Sequence, residues 1–339
     1  MSKSIRQIIS YAFFIALSVG ISWYVFSKVG FGNILHELEE VRLVWIFLVL
    51  LVSLIGHFIR ALRWQQLIKT TSNEPSIHAV FISLIAGYFV NLGIPRLGEI
   101  TRCMSLNKLS KTPFSASIGT VVTERVIDVI TLITLFITVS WVQSERLSGV
   151  YTKYVGVHIN SLIRNISSDH NAIIIILAVL FILLVVIFMT RKNLKQWIQK
   201  LLQFSFINNF KNGLISIFNV KRLPLFLFYT ALIWCSYFLT SYVCFFALPK
   251  TAHLGIAAGI AVTVYGSISR SLPAAGGSVG IYHALVAAVL LLFGIHEDQG
   301  LALAVIIHGT QVLFYLITGA YAGIFLAIAR RKDQPTSIQ

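Results

Sequence analysis

Thr123-Glu124-Arg125-Val126-Ile127-Asp128 runs directly into Val129-Ile130-Thr131-Leu132-Ile133-Thr134-Leu135-Phe136-Ile137, so three charges sit inside an otherwise apolar helix. Insertion scales put a centrally placed Asp or Arg at about +2.5 to +3.5 kcal/mol each. A bilayer-spanning segment keeps such residues where they pair, line a water-filled cavity or handle a substrate. Glu124 and Asp128 are four apart and share one helix face, with Arg125 about 100° around from Glu124. Two readings follow: an internal salt bridge that only fixes helix packing, or a substrate site. Comparable charges in a second unusual segment favour the site.

Around that stretch the composition is that of a polytopic membrane protein. The 339 residues are 57% hydrophobic and only 12% charged, with a mean hydropathy of +0.82, whereas soluble domains are about a quarter charged. Apolar runs at roughly 7–26, 43–59, 117–142, 172–190, 223–247, 253–270, 278–294 and 301–328 predict eight spans. The first run follows Lys3 and Arg6, is long for a signal core and lacks a convincing small-residue cleavage site, so it reads as a retained helix. One integral membrane domain over 1–330 and a short polar cytoplasmic tail over 331–339 are expected.

Basic loops orient the spans. The stretch 191–222 carries Arg191, Lys192, Lys195, Lys200, Lys211, Lys221 and Arg222 with no acid, and Arg330-Arg331-Lys332 closes the last span. By the positive-inside rule both lie with the N-terminus on the cytoplasmic side. The net charge of +15 therefore belongs to loops facing anionic headgroups, not to a nucleic-acid surface. Cys103, Cys235 and Cys244 have neither CxxC spacing nor a companion His cluster, so no disulfide framework, zinc site or other metal site is expected. No cofactor is implied.

Segment 77–94 is apolar enough to span, but counting it would put Arg96, Arg102, Lys108 and Lys111 outside. Residues 77–112 therefore read as a re-entrant or interfacial hairpin. Asn91-Leu92-Gly93-Ile94-Pro95-Arg96-Leu97-Gly98-Glu99 supports a broken helix, because Pro95 lacks a backbone donor and the glycines permit unusual dihedrals. Arg270-Ser271-Leu272-Pro273-Ala274-Ala275-Gly276-Gly277-Ser278-Val279-Gly280 is a second interruption in the other half. Paired broken segments point to a substrate site at a repeat interface; an ordinary turn between spans explains 270–280 equally well.

Four sets of residues could carry chemistry. His57, Arg60, Arg63 and Trp64 read either as interfacial anchors at a helix end or as headgroup contacts. Arg96, Glu99 and Arg102 recur every three residues, and arginine forks bind phosphate in a bidentate way. Glu124, Arg125 and Asp128 form the third set. Tyr282, His283, His308, Gln311 and Tyr315 form the fourth, the last three at i, i+3 and i+7; a histidine there is either a proton relay or a packed, hydrogen-bonded core residue. No GxxxxGK[ST], HExxH or DxD is present, which excludes P-loop ATPases and the common zinc-protease and metal-dependent glycosyltransferase classes.

The order RxxRW (Arg60 to Trp64), PxRxGExxR (Pro95 to Arg102), ERxxD (Glu124 to Asp128) and a Pro/Gly-rich loop (Pro273 to Gly280) resembles the transmembrane domain of lysylphosphatidylglycerol synthase, which defines the flippase-like integral membrane protein family. The resemblance covers nearly the whole chain. It implies an all-α bundle of about eight spans with re-entrant elements in the bacterial cytoplasmic membrane, and a flippase that moves aminoacylated phosphatidylglycerol outward. The full synthase adds a soluble aminoacyl-transferase domain; the short tail here leads us to expect none. The family's glycine-rich loop is commonly followed by a carboxylate, whereas this chain has Tyr282-His283, which makes an aminoacyl lipid a less expected substrate. Homodimerisation is implied by resemblance alone.

The leading expectation is a translocase of membrane lipids with an anionic phospholipid headgroup. Arg60, Arg63, Arg96, Glu99, Arg102, Glu124, Arg125, Asp128, Arg270 and His283 are its candidate substrate contacts. Arg96, Arg102 and Arg125 would hold the phosphate, while Glu99, Glu124 and Asp128 orient those arginines. Two alternatives stand beside it. One is an intramembrane enzyme acting on a lipid, by glycosyl or acyl transfer, with Glu124 or Asp128 as general base. The other is a non-transporting scaffold for a separately encoded lipid-modifying enzyme.

Overall fold

In the computed structural model the described residues are 39–71, 74–94, 96–144, 205–271 and 280–332. The expected spans at 7–26 and 172–190, Pro95, the interruption at 272–279 and the tail beyond 332 lie outside them. By internal contacts the chain divides into two compact units, Met1–Val139 with Asn209–Gln339 and Ser140–Asn208; the site lies in the first. Every regular element among the described residues is helical.

These helices are α1 (Leu43–Ile68), α2 (Ile77–Gly93), α3 (Leu97–Ser110), α4 (Phe114–Val142), α5 (Ser205–Leu214), α6 (Leu223–Cys244), α7 (Ile256–Ser271), α8 (Ile281–Leu291) and α9 (Glu297–Lys332). Among the described residues four segments, Leu43–Ile68, Phe114–Val142, Leu223–Ala247 and Glu297–Ala329, are long and apolar enough to cross a membrane. Their outward faces fit that medium. Val126, Val129, Ile130, Ile133 and Ile137 are all exposed along α4, as are Leu43, Phe47, Leu54, Ile55 and Phe58 along α1. An apolar surface of that extent belongs in lipid, not in water.

Two lengths differ from the sequence reading. α1 continues nine residues past 59, to Ile68, because carboxylates of α4 neutralise Arg60 and Arg63 and remove the reason to end the helix there. The run at 278–294 yields only the 11-residue α8, about 16 Å long and too short to cross a hydrocarbon core of about 30 Å.

α1 and α6 pack antiparallel. The Arg42 amide donates to the Ala247 carbonyl at 2.9 Å at one end, and Arg63 reaches Thr230 toward the other. Midway, a Cβ on Gly56 would meet the Ser236 side chain, so glycine permits the close approach. The expected hairpin at 77–112 is formed by α2 and α3, which pack on each other. Ser76 caps α2 by accepting from the Ala79 amide at 3.2 Å. Arg96 turns the chain with a left-handed φ of 68°, and the Gly98 amide donates to Asn91 Oδ1 at 2.7 Å. A Cβ at Gly98 would strike the Gly87 carbonyl, so the two arms touch backbone to backbone. α7 and α8 form a second packed pair, with Tyr282 lying over Gly266. α9 packs against both α2 and α8 and so joins the two pairs.

Candidate functional site

The charged residues of α1, α3 and α4 converge on Glu124. Its Oε1 lies 2.7 Å from Arg60 Nε and 3.2 Å from Arg63 Nη2, and its Oε2 accepts from Arg102 Nη2 at 2.5 Å. Asp128, one turn on, takes Arg60 Nη2 at 2.6 Å and Arg63 Nη2 at 2.7 Å. Glu124 and Arg63 are fully buried, Arg60 and Arg102 nearly so, and Asp128 is 16% exposed. Three guanidinium groups meet two carboxylates, leaving one positive charge. Isolated burial of any member would cost several kcal/mol, so mutual pairing is what holds the network inside an apolar bundle.

Neutral groups complete the shell. Arg60 donates to the Tyr237 hydroxyl, and Arg63 Nη1 to Thr230 Oγ1 at 3.3 Å. The Arg102 guanidinium stacks on Trp64, 4.3 Å from the ring, and Trp64 Nε1 donates to Thr120 Oγ1 at 3.0 Å. α4 is fixed from its other side by α5. Gly119 and Gly213 meet with no room for a Cβ, and Thr123 Oγ1 donates toward the Gly213 and Leu214 carbonyls at 3.0 and 2.8 Å.

Arg60, Arg63 and Trp64 are thus structural partners inside the bundle, not interfacial anchors, since Arg63 and Trp64 are 0% exposed. Arg102 is sealed by Glu124 and Trp64, so it does not present a free fork as the sequence reading supposed. Arg96 is exposed and has no ion-pair partner among the described residues. Cys103 is buried beside Arg102, and burial pushes its thiol up to about 12, which makes it an inert packing residue.

Arg125 and Glu99 share no ion pair with this network among the described residues and pair with each other at 3.2 Å; their side chains are 41% and 31% exposed. They are the charged members of a groove of about 420 Å³ between α3 and α4, otherwise lined by Ile100, Ile118, Val121, Val122, Val126, Val129 and Ile130. On α4 these positions follow the i, i+3, i+4 stripe of one helix face. The charged pair lies midway along it.

Arg270 and His283 sit elsewhere, among α7, α8 and α9. Arg270 Nη1 donates to Gln311 Oε1 at 2.9 Å and Nη2 to Ser267 Oγ at 3.3 Å, with the guanidinium 5.1 Å from the Tyr282 ring. His283 Nδ1 accepts from the Gly280 amide at 3.2 Å, and its ring lies 5.1 Å from that of His308. The α9 stripe joins the two regions, because Tyr315 stacks on Tyr88 at 5.0 Å and lies 3.2 Å from His57 Nε2. His57 Nδ1 is 2.7 Å from the Ser53 carbonyl, which makes Nδ1 the donor and Nε2 the acceptor for Tyr315. Tyr237, Tyr88 and Thr230 escaped the sequence reading. Only the seven-residue spacing of Thr230 and Tyr237, two turns on one face of α6, could have signalled them.

The family model described as "Lysylphosphatidylglycerol synthase TM region" matches residues 8–319. A UPF0104 membrane protein of Methanothermobacter thermautotrophicus is 23% identical over 319 residues, covering 87% of each chain. A UPF0104 membrane protein of Methanocaldococcus jannaschii is 28% identical over 139 residues, 40% of this chain and 38% of that relative's length. No solved structure matches the chain.

Proposed function

The chain belongs to the lysylphosphatidylglycerol synthase TM region family and is an integral membrane protein, and from that premise we propose that it moves a phospholipid between the leaflets of the cytoplasmic membrane. The observation that carries the reading is the α3–α4 groove: apolar along its length, open to the exposed face of α4, with the partly exposed Arg125–Glu99 pair midway along its lining. Arg125 lies 11 residues from the start of α4, about 17 Å along the helix axis, near half the thickness of a hydrocarbon core.

A lipid phosphate in transit meets its highest solvation cost at that depth. Arg125 offers a fork that binds phosphate oxygens in parallel, and Glu99 holds the fork in place when no phosphate is bound. Val122, Val126, Val129 and Ile130 continue the groove as an apolar wall along which acyl chains stay in the bilayer. The buried Arg60–Arg63–Arg102–Glu124–Asp128 network keeps α1, α3 and α4 in register, so that Arg125 faces the groove. An anionic headgroup fits the positive balance, and both termini are assigned to the cytoplasmic side. With no ATPase motif in the sequence, movement follows a gradient, consumption of lipid on one side, or neither.

The enzyme reading fits the geometry less well. A general base must reach the proton it removes, and all four carboxylate oxygens of Glu124 and Asp128 face guanidinium groups.

The test is leaflet exchange of fluorescent phospholipids in liposomes containing the full chain, with lipid mass spectrometry on the same samples. Wild type should exchange lipid without changing its mass, and Arg125→Ala should insert normally and lose exchange. Full exchange by Arg125→Ala would remove the groove from the mechanism. No exchange by wild type moves the reading to an enzyme where lipid masses change, and to a scaffold where they do not.

A further inference from the structure

Arg270 is a half-buried cation that the network above does not explain. It ends α7 and forms no ion pair among the described residues. Its partners are neutral: Gln311 from α9, Ser267 one turn back on α7, and the face of Tyr282 from α8. The acidic residues of α9 are Glu297 and Asp298 in its first turn, about 20 Å along the helix from Gln311. The neighbouring titratable groups on α8 and α9 are Tyr282, His283 and His308, none of them a carboxylate.

A guanidinium carries five N–H donors, and two hydrogen bonds to neutral oxygens hold this one at two of them. The residue as a whole is half-buried, so part of it remains accessible. The Tyr282 side chain, with its ring 5.1 Å from the guanidinium, further fixes the orientation of the fork. A charge inside a membrane bundle is kept where it pairs or handles a ligand. Among the described residues the protein supplies orientation and no counter-charge. A fork oriented by neutral groups is a donor set suited to an oxyanion.

We propose that Arg270, oriented by Gln311, Ser267 and Tyr282, is a second anion-binding station that takes a tetrahedral phosphate-type group. It is separate from the Arg125 groove and joined to the Arg60 region by the α9 stripe of His308, Gln311 and Tyr315. Those three residues span seven positions, about 10 Å along α9. The anion has two sources, a lipid headgroup or free phosphate; the first rests on the translocase reading, and anion binding itself does not.

The experiment measures thermal stabilisation of the purified full chain by inorganic phosphate at constant ionic strength and, separately, by short-chain phosphatidylglycerol. Wild type, Arg270→Gln, Arg270→Lys and Arg125→Ala are compared. Stabilisation of wild type by the lipid but not by phosphate, lost in Arg270→Gln and kept in Arg125→Ala, establishes a headgroup station. Stabilisation by phosphate with the same mutant pattern establishes a free-anion site. Arg270→Lys keeps the charge but not the fork, so its half-saturation should be about tenfold weaker or more. Without ligand, Arg270→Gln should melt no lower than wild type, since it removes an uncompensated charge. A wild type indifferent to both probes, an Arg270→Gln that responds fully, or an Arg270→Lys with unchanged half-saturation overturns the assignment. Loss of leaflet exchange in Arg125→Ala bears on the groove alone, so the two readings fail separately.

Discussion

Two arginine regions in one bundle solve the same problem in opposite ways. Between α1, α3 and α4, Arg60, Arg63 and Arg102 are shut away from solvent, and each one touches a carboxylate. Among α7, α8 and α9, Arg270 is half-buried and touches no carboxylate among the described residues. The first region is a finished structure: removing any part strands a charge. The second, as we propose, is a prepared one, in which neutral groups set the geometry and a bound anion supplies the counter-charge. Burial of an arginine therefore says little about its role until its partners are known.

The strongest way to break this comparison is Glu124→Gln. Both oxygens of Glu124 hold arginines from two other helices, so the substitution leaves three buried guanidinium groups with Asp128 alone. A cost of roughly 3–5 kcal/mol is expected, read as a large drop in thermal midpoint of the detergent-solubilised protein. A midpoint equal to wild type would mean that the network is solvated and not structural, which would erase the contrast with Arg270. Asp128→Asn sharpens the same point at smaller scale. Asp128 is partly exposed and Arg60 and Arg63 retain Glu124, so loss of its charged hydrogen bonds should cost about 1.5–3 kcal/mol. Equal effects of the two substitutions would show that burial does not grade the network.

How much of this was legible in the chain follows from the range of each interaction. The i,i+4 spacing of Glu124 and Asp128 places both on one helix face, and the structure has them bridging the same pair of arginines. The glycines at 93 and 98 and the proline between them signal a break, and α2 and α3 fold back on each other there. The partners of Glu124 were not legible. Arg60 and Arg63 lie 64 and 61 residues away, on a helix whose antiparallel packing no local pattern encodes. Without that pairing, charges at 60–63 look like the end of a span, and so α1 was expected to stop at 59. The three-residue spacing groups Arg102 with Arg96 and Glu99, but it does not encode that α3 turns Arg102 onto Trp64 and away from the groove. The α9 stripe at 308, 311 and 315 was visible as a period, but not that its members serve two different regions.

The smallest stability effect is expected where the functional effect is largest. Arg125 and Glu99 are 41% and 31% exposed and hold each other by a single contact at 3.2 Å. Exposed pairs of that kind contribute about 0–1 kcal/mol, so Arg125→Ala should leave the thermal midpoint within a degree or two of wild type. The pair nonetheless occupies the middle of a groove otherwise lined by apolar side chains, where a charge is retained at a cost and returns little in folding. Loss of leaflet exchange at near-native stability is the combination that a structural pair does not produce. A large fall in midpoint would instead tie Arg125 to the Glu124 network. The molecule would then have two arginine regions of one kind, a closed scaffold and its extension, with Arg270 the remaining candidate for contact with substrate.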